Sequence, residues 1–169
     1  MNQAEKARLL EQVEKWNDAD EFSRCVEAIE AIPERERDYL LTVKLSRAYS
    51  NLAVLGDHGA LGENAEVDGD LLRHAIDLLE SVRTQGENDP YWNSRMGYSC
   101  LMAYSSAATA YEYAKRWLAL APDDPDAQKL VRDCEKYLEE EKALELDLKE
   151  REEIIRKETP DDVKGGICK

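Results

Sequence analysis

The sequence predicts an all-α fold, a stack of about three antiparallel helix pairs closed by a long C-terminal capping helix. Three observations carry that expectation. Glycine (8) and proline (5) are scarce in 169 residues and fall between apolar runs, which suits long helices better than strands and tight turns. Apolar residues recur at three- and four-residue steps along most of the chain. One stretch, Ala110 to Pro122 (AYEYAKRWLALAP), has a weaker copy upstream in Phe22 to Pro33 (FSRCVEAIEAIP). Aligned on their prolines, the two pair Phe22 with Tyr111, Cys25 with Ala114, Ala28 with Trp117 and Ile29 with Leu118. Such self-similarity marks a stacked repeat, because one helix pair cannot bury its own apolar face.

The elements follow in order. Ala7, Leu10, Val13 and Trp16 line one face of a first helix over 3–17. Asp18 and Glu21 read as a capping box that starts a second helix near Ala19, with Phe22, Cys25, Val26, Ile29 and Ile32 inward and Pro33 ending it. After the charged link 34–38, a helix from Tyr39 to Leu55 turns Leu41, Leu45, Ala48, Tyr49, Leu52 and Leu55 inward. Residues 56–70 (GDHGALGENAEVDGD) carry four glycines, five acids and no lysine or arginine, the composition of an inserted acidic surface loop. Asp68 or Asp70 then caps a helix through Leu71, Leu72, Ala75, Leu78, Leu79 and Val82 that fades into TQGEN. Asp89–Pro90 and Asp124–Pro125 are cap-then-proline starts, with two helices between them divided near Ser105 and Ser106. The approximate helix pairs are thus 3–33, 38–86 and 89–122. The capping helix is expected over 125–158, ended by Pro160, with a flexible tail over 159–169.

Composition narrows the function. Twenty-three lysines and arginines stand against 37 acids, a net charge of −14. That balance disfavours nucleic acid, whose binding rests on neutralising phosphates, and adsorption to anionic membranes. It favours solubility, or a basic partner. No run approaches the ~18 apolar residues of a membrane span, and the N-terminus lacks the apolar core of a secretory signal. A cytoplasmic location is the expectation. Cys25, Cys100, Cys134 and Cys168 form no CxxC pair. The first three lie on apolar helix faces, which predicts reduced, buried thiols.

These residues resemble the tetratricopeptide repeat family. Along that family's second helix come a small residue, a large one, a small one and a final proline, positions held here by Ala110, Ala114, Trp117 and Pro122 with Leu118 and Leu120 beside them. In its first helix a large apolar residue precedes a small one, with an aromatic three further on. Leu45, Ser46 and Tyr49 match, as do Met96, Gly97 and Cys100 with cysteine in place of the aromatic. Leu45 to Met96 spans 51 residues, about 17 more than the ~34-residue period, which an insertion the size of the acidic loop accounts for. Ala75 to Ala110, 35 residues, is nearly in register. The similarity covers roughly 3–135, and Trp16 does not fall at the family's tryptophan position. The resemblance implies a right-handed superhelical stack whose first helices line a concave groove that takes a peptide or protein.

In that register Arg47 and Asn51 face the groove from one repeat, and Tyr91, Ser94 and Tyr98 from the next, with Asn93 and Arg95 near the rim. Arg47, Asn51, Tyr91, Ser94 and Tyr98 are the expected partner-binding residues. Arg47 and Asn51 would supply half of a carboxylate clamp, without a matching basic pair on the third repeat. Trp92 and Trp117 read as core. His74 and Asp77 read as an i,i+3 surface pair. Asp57, His58, Glu63, Glu66, Asp68 and Asp70 offer oxygen ligands in the loop but not in the EF-hand order, and no metal or other cofactor is expected. The chain holds no GxSxG, phosphate loop or HExxH, so no catalysis is expected.

The function these readings point to is a non-catalytic scaffold or adaptor for a protein or peptide. The alternatives are a chaperone-like holder of a secreted or hydrophobic client and an oligomerisation module. Leu130, Cys134, Tyr137, Leu144, Leu148 and Ile155 fall on a seam interrupted by Glu141 and Arg151. The first turns of that helix are expected to pack on the array and its later turns to project into solvent; the alternative for residues 138–157 is a weak homodimer.

Overall fold

The computed structural model describes residues 1–61, 66–104 and 106–158. The expectations for Glu63, Ser105, Pro160, Cys168 and the tail 159–169 lie outside them. Among the described residues there are eight α-helices and no strand: α1 (Gln3–Asp18), α2 (Phe22–Glu30), α3 (Tyr39–Leu55), α4 (Gly69–Ser81), α5 (Arg83–Gly86), α6 (Pro90–Tyr104), α7 (Ala107–Leu120) and α8 (Pro125–Glu158). Single 3₁₀ turns sit at Glu34–Glu36 and Asp57–Gly59. Among the described residues no helix is long and apolar enough to cross a membrane.

Short polar side chains set the helix starts, because an N-terminal turn leaves backbone N–H groups without intrahelical acceptors. Asn2 accepts from Glu5 N while Glu5 reaches back to Asn2 N, a reciprocal capping box on α1. Asp38 accepts from Leu41 N, Asp68 from Asp70 N and Leu71 N, Asp89 from Tyr91 N, Ser106 from Thr109 N, and Asp124 from Asp126 N and Ala127 N. All six caps lie at or beside the expected helix starts.

The helices pack in pairs, α1 with α2, α3 with α4 and α6 with α7. The leading helices touch in series, α1 on α3, α3 on α6 and α6 on α8, and each second helix packs on its own leader and the next one. Two apolar clusters result. Val13, Cys25, Ile29, Leu41, Leu45 and Ala48 join the first pair to α3. Val43 on the other side of α3 joins Leu79, Trp92, Met96, Ala114, Trp117, Leu130 and Cys134. Burying each such Leu or Ile side chain contributes about 1.5–3 kcal/mol. Small polar groups between α3 and its neighbours bond locally: the Ser46 hydroxyl donates to Ala75 O at 2.7 Å, and the Ser50 and Ser99 hydroxyls bond at 2.9 Å.

Several local expectations need correction. Asp18 caps nothing: α1 runs through it, α2 starts only at Phe22, and Glu21 at its head makes no side-chain cap. Asp57 supplies that cap instead. Its carboxylate accepts from Ser23 N at 2.9 Å, while His58 N donates to Asp20 O at 2.8 Å. The start of the acidic insertion is therefore pinned to the α1–α2 turn. Asp20 and His58 both adopt φ 54°, a left-handed conformation that this docking holds. Ala7 and Leu55 are exposed rather than inward. His74 stacks edge-on against Tyr49, centroids 4.7 Å apart, instead of pairing with Asp77.

Helix α8 starts at Pro125 as expected, and its first turns pack on the array. Ala127, Leu130 and Cys134 are fully buried, whereas every described side chain from Glu139 onward is exposed. Cys25, Cys100 and Cys134 are buried free thiols, as expected. Burial pushes each of them up to about 11.

A candidate binding face on the leading helices

Helices α1, α3 and α6 place a row of polar side chains along one line. From α1, Glu14 pairs with two α3 cations, Lys44 at 2.5 Å and Arg47 at 3.0 Å. Burial alone pushes the Glu14 carboxyl up, but these two cations hold it below its ordinary value. One turn along, Asn51 Nδ2 donates to Asn17 Oδ1 at 3.0 Å. The same row continues to α6: Lys44 Nζ lies 4.6 Å from the Tyr91 ring centroid.

Arg95 occupies the centre of the α6 side. Its guanidinium lies between the rings of Tyr91 and Tyr98, 5.8 and 5.7 Å from their centroids, because those residues stand one helical turn before and after it. Its Nε is buried and has no hydrogen-bond partner. Among the described residues no carboxylate forms an ion pair with it. Burial, and then the charge of Arg47, press its pKa down while both tyrosines press it up. An arginine stays charged under such pressure, so the site holds a partly desolvated cation without a counter-charge.

A cleft of about 200 Å³ opens beside it between α3 and α6. Val54, Leu55, Leu72 and Met102 make it largely apolar, while Asn51, Arg95 and Tyr98 supply polar groups. Tyr98 leans edge-on against Trp117, centroids 6.1 Å apart, which anchors the cleft wall to the buried core.

The expected site residues divide accordingly. Arg47, Asn51, Tyr91 and Tyr98 lie on the shared face, with Arg47 and Asn51 already engaged by Glu14 and Asn17. Ser94 is buried, 5% exposed, and donates to Tyr91 O at 2.7 Å, so it shapes the helix rather than the face. Asn93 is not at a rim: it is fully buried and donates to Glu87 O and Asp89 O at the head of α6. Arg95, also assigned to a rim, is the central cation. Glu14, Asn17 and Lys44 were not singled out from sequence. The spacing of Lys44, Arg47 and Asn51, three then four residues, was the available signal for Lys44. Trp92 and Trp117 are core, as expected.

Among the described residues, no group of three or more His, Cys, Asp or Glu side chains could hold a metal ion. Comparison with known proteins finds no match among family models, curated proteins or solved structures.

Proposed function

We propose that this chain is a non-catalytic binding scaffold of tetratricopeptide-like build. It takes an extended acidic and apolar segment of a partner protein along α1, α3 and α6. The observation that carries the reading is Arg95, a cation held between two tyrosines with a buried Nε that bonds to nothing. A desolvated charge without a partner is costly, and a carboxylate arriving from outside removes that cost. Lys44, Arg47 and Arg95 stand against Glu14 on this face, while beyond Tyr98 the carboxylates of Asp126 and Asp133 are accompanied by Lys129. On a chain of net charge −14 this positive face is local, and a local patch of opposite sign steers a partner to one place. The apolar cleft beside Arg95 has room for one large aliphatic or aromatic side chain next to that carboxylate. With the leading helices stacked as in a superhelical array, the face lies on the concave side.

Selection from a random peptide display library tests the reading directly. Peptides with Asp or Glu beside Leu, Ile or Phe are expected to be enriched by the wild type. Arg95→Met should lose them, Arg95→Lys should retain them weakly, and Arg47→Glu should weaken them. Enrichment of basic peptides, or the same acidic peptides bound equally by Arg95→Met, would overturn it.

A further inference from the structure

The outer half of α8 carries a second surface. Beyond Cys134 the helix leaves the body, and its seam continues through Tyr137, Glu141, Leu144, Leu148, Arg151 and Ile155. Tyr137, Leu144, Leu148 and Ile155 are 50%, 60%, 50% and 63% exposed. Up to Cys134 this same seam is the face that packs on the body, so from Tyr137 to Leu148 its continuation is a packing surface that no described element covers.

We infer that α8 pairs antiparallel with α8 of a second copy, about a dyad at residue 146. In that register Tyr137 faces Ile155 of the second copy, Leu144 faces Leu148, and Glu141 faces Arg151. The two charged residues that interrupt the seam become each other's partners across the dyad, and each pairing occurs twice. A parallel pair does the opposite. It sets Glu141 on Glu141 and Arg151 on Arg151, and at the flanks it sets Glu140 near Glu145 and Asp147 near Glu152.

The body receives the end of the second helix. A cleft of about 300 Å³ lies between α6 and α8, lined by Leu101, Met102, Tyr137 and Glu141, with Met102 48% exposed. Residues 137 and 155 lie about 27 Å apart along the helix, so Ile154 and Ile155 of the second copy reach this cleft. Arg151 already gives its Nε to Asp147 of its own helix at 2.9 Å, and its remaining guanidinium donors are free to meet Glu141 of the second copy. Glu145 and Asp147 each lie near their own counterparts beside the dyad, which keeps the dimer weak.

Sedimentation equilibrium on the full chain over a concentration series tests the pairing, with helicity by circular dichroism as the folding control. A reversible dimer is expected. Leu148→Glu, on the seam, should leave a monomer, while Leu146→Glu, 62% exposed but off the seam, should not change the dimer. Glu141→Arg and Arg151→Glu should each weaken association about tenfold, and the double exchange should restore it to within about threefold. A monomer at every concentration overturns the proposal. A double exchange as weak as either single variant overturns the antiparallel register.

Discussion

The carboxylate of Asp57 caps α2 from 34 residues further along the chain, accepting the Ser23 backbone N–H at 2.9 Å. Slight burial pushes this carboxyl up, but the bonds from Ser23 and the Phe22 N–H outweigh it and hold the group below its ordinary value. A depressed carboxylate stabilises the fold above its unfolded-state value, and that contribution disappears as pH falls through the folded one.

Asp57→Ala should therefore cost about 1 kcal/mol at neutral pH, seen as a melting temperature lower by a few degrees. Asp57→Asn, which keeps an acceptor, should lose less. In acid below the carboxylate range the difference between wild type and Asp57→Ala should vanish. A constant difference across pH would mean that Asp57 acts through packing alone.

Gly86 and Gly97 should respond differently to alanine. A methyl group at Gly86 would fall inside the indole of Trp92, a fully buried ring fixed by its Nε1 bond to Leu79 O at 2.9 Å. Gly86→Ala should cost about 3 kcal/mol in urea unfolding. At Gly97 the obstacle is the flexible tip of Leu130 at 2.8 Å, and alanine gains about 1 kcal/mol of helix propensity. Gly97→Ala should lie within about 1 kcal/mol of wild type. Equal losses at both sites would contradict the packing around Trp92.

The thiols of Cys25, Cys100 and Cys134 should be silent in the folded protein. Each is buried, and burial raises its pKa to about 11, so thiolate is scarce at neutral pH. In a Cys168→Ser background, a disulfide reagent should modify the native chain at least about a hundredfold more slowly than the denatured one. A rapidly reacting native thiol would refute the burial of that helix face.

Arg95→Met should separate stability from binding. Removing a charge that has no counter-charge relieves its desolvation cost, against the loss of two cation–π contacts of about 0.5–1 kcal/mol each. The balance should leave the variant as stable as wild type or up to about 1 kcal/mol more so, while acidic peptides are lost. A large destabilisation would instead make Arg95 a structural residue.

Local chemistry made most of the helical skeleton legible in the sequence. Residues such as Asp68, Asp89 and Asp124 cap the helix next to them, and the apolar stripes of α2, α4 and α7, and that of α3 apart from Leu55, lie where their spacing puts them, since both depend on neighbours within two turns. The start of α8 at Pro125 and the burial of its first turns are set in the same way. The misread start of α2 shows the limit: its cap is Asp57, which reaches Ser23 only after the chain has passed through α3 and turned back. The polar face of α1, α3 and α6 belongs to the same class. Helical register placed Arg47, Asn51, Tyr91 and Tyr98 together. Register cannot say that Arg95 would lie between two rings, that Ser94 and Asn93 would turn into the packing, or that Glu14 would hold Lys44 and Arg47. What decides those is the approach of one helix to the next, which removes water from some side chains and brings charge partners from distant sequence to others.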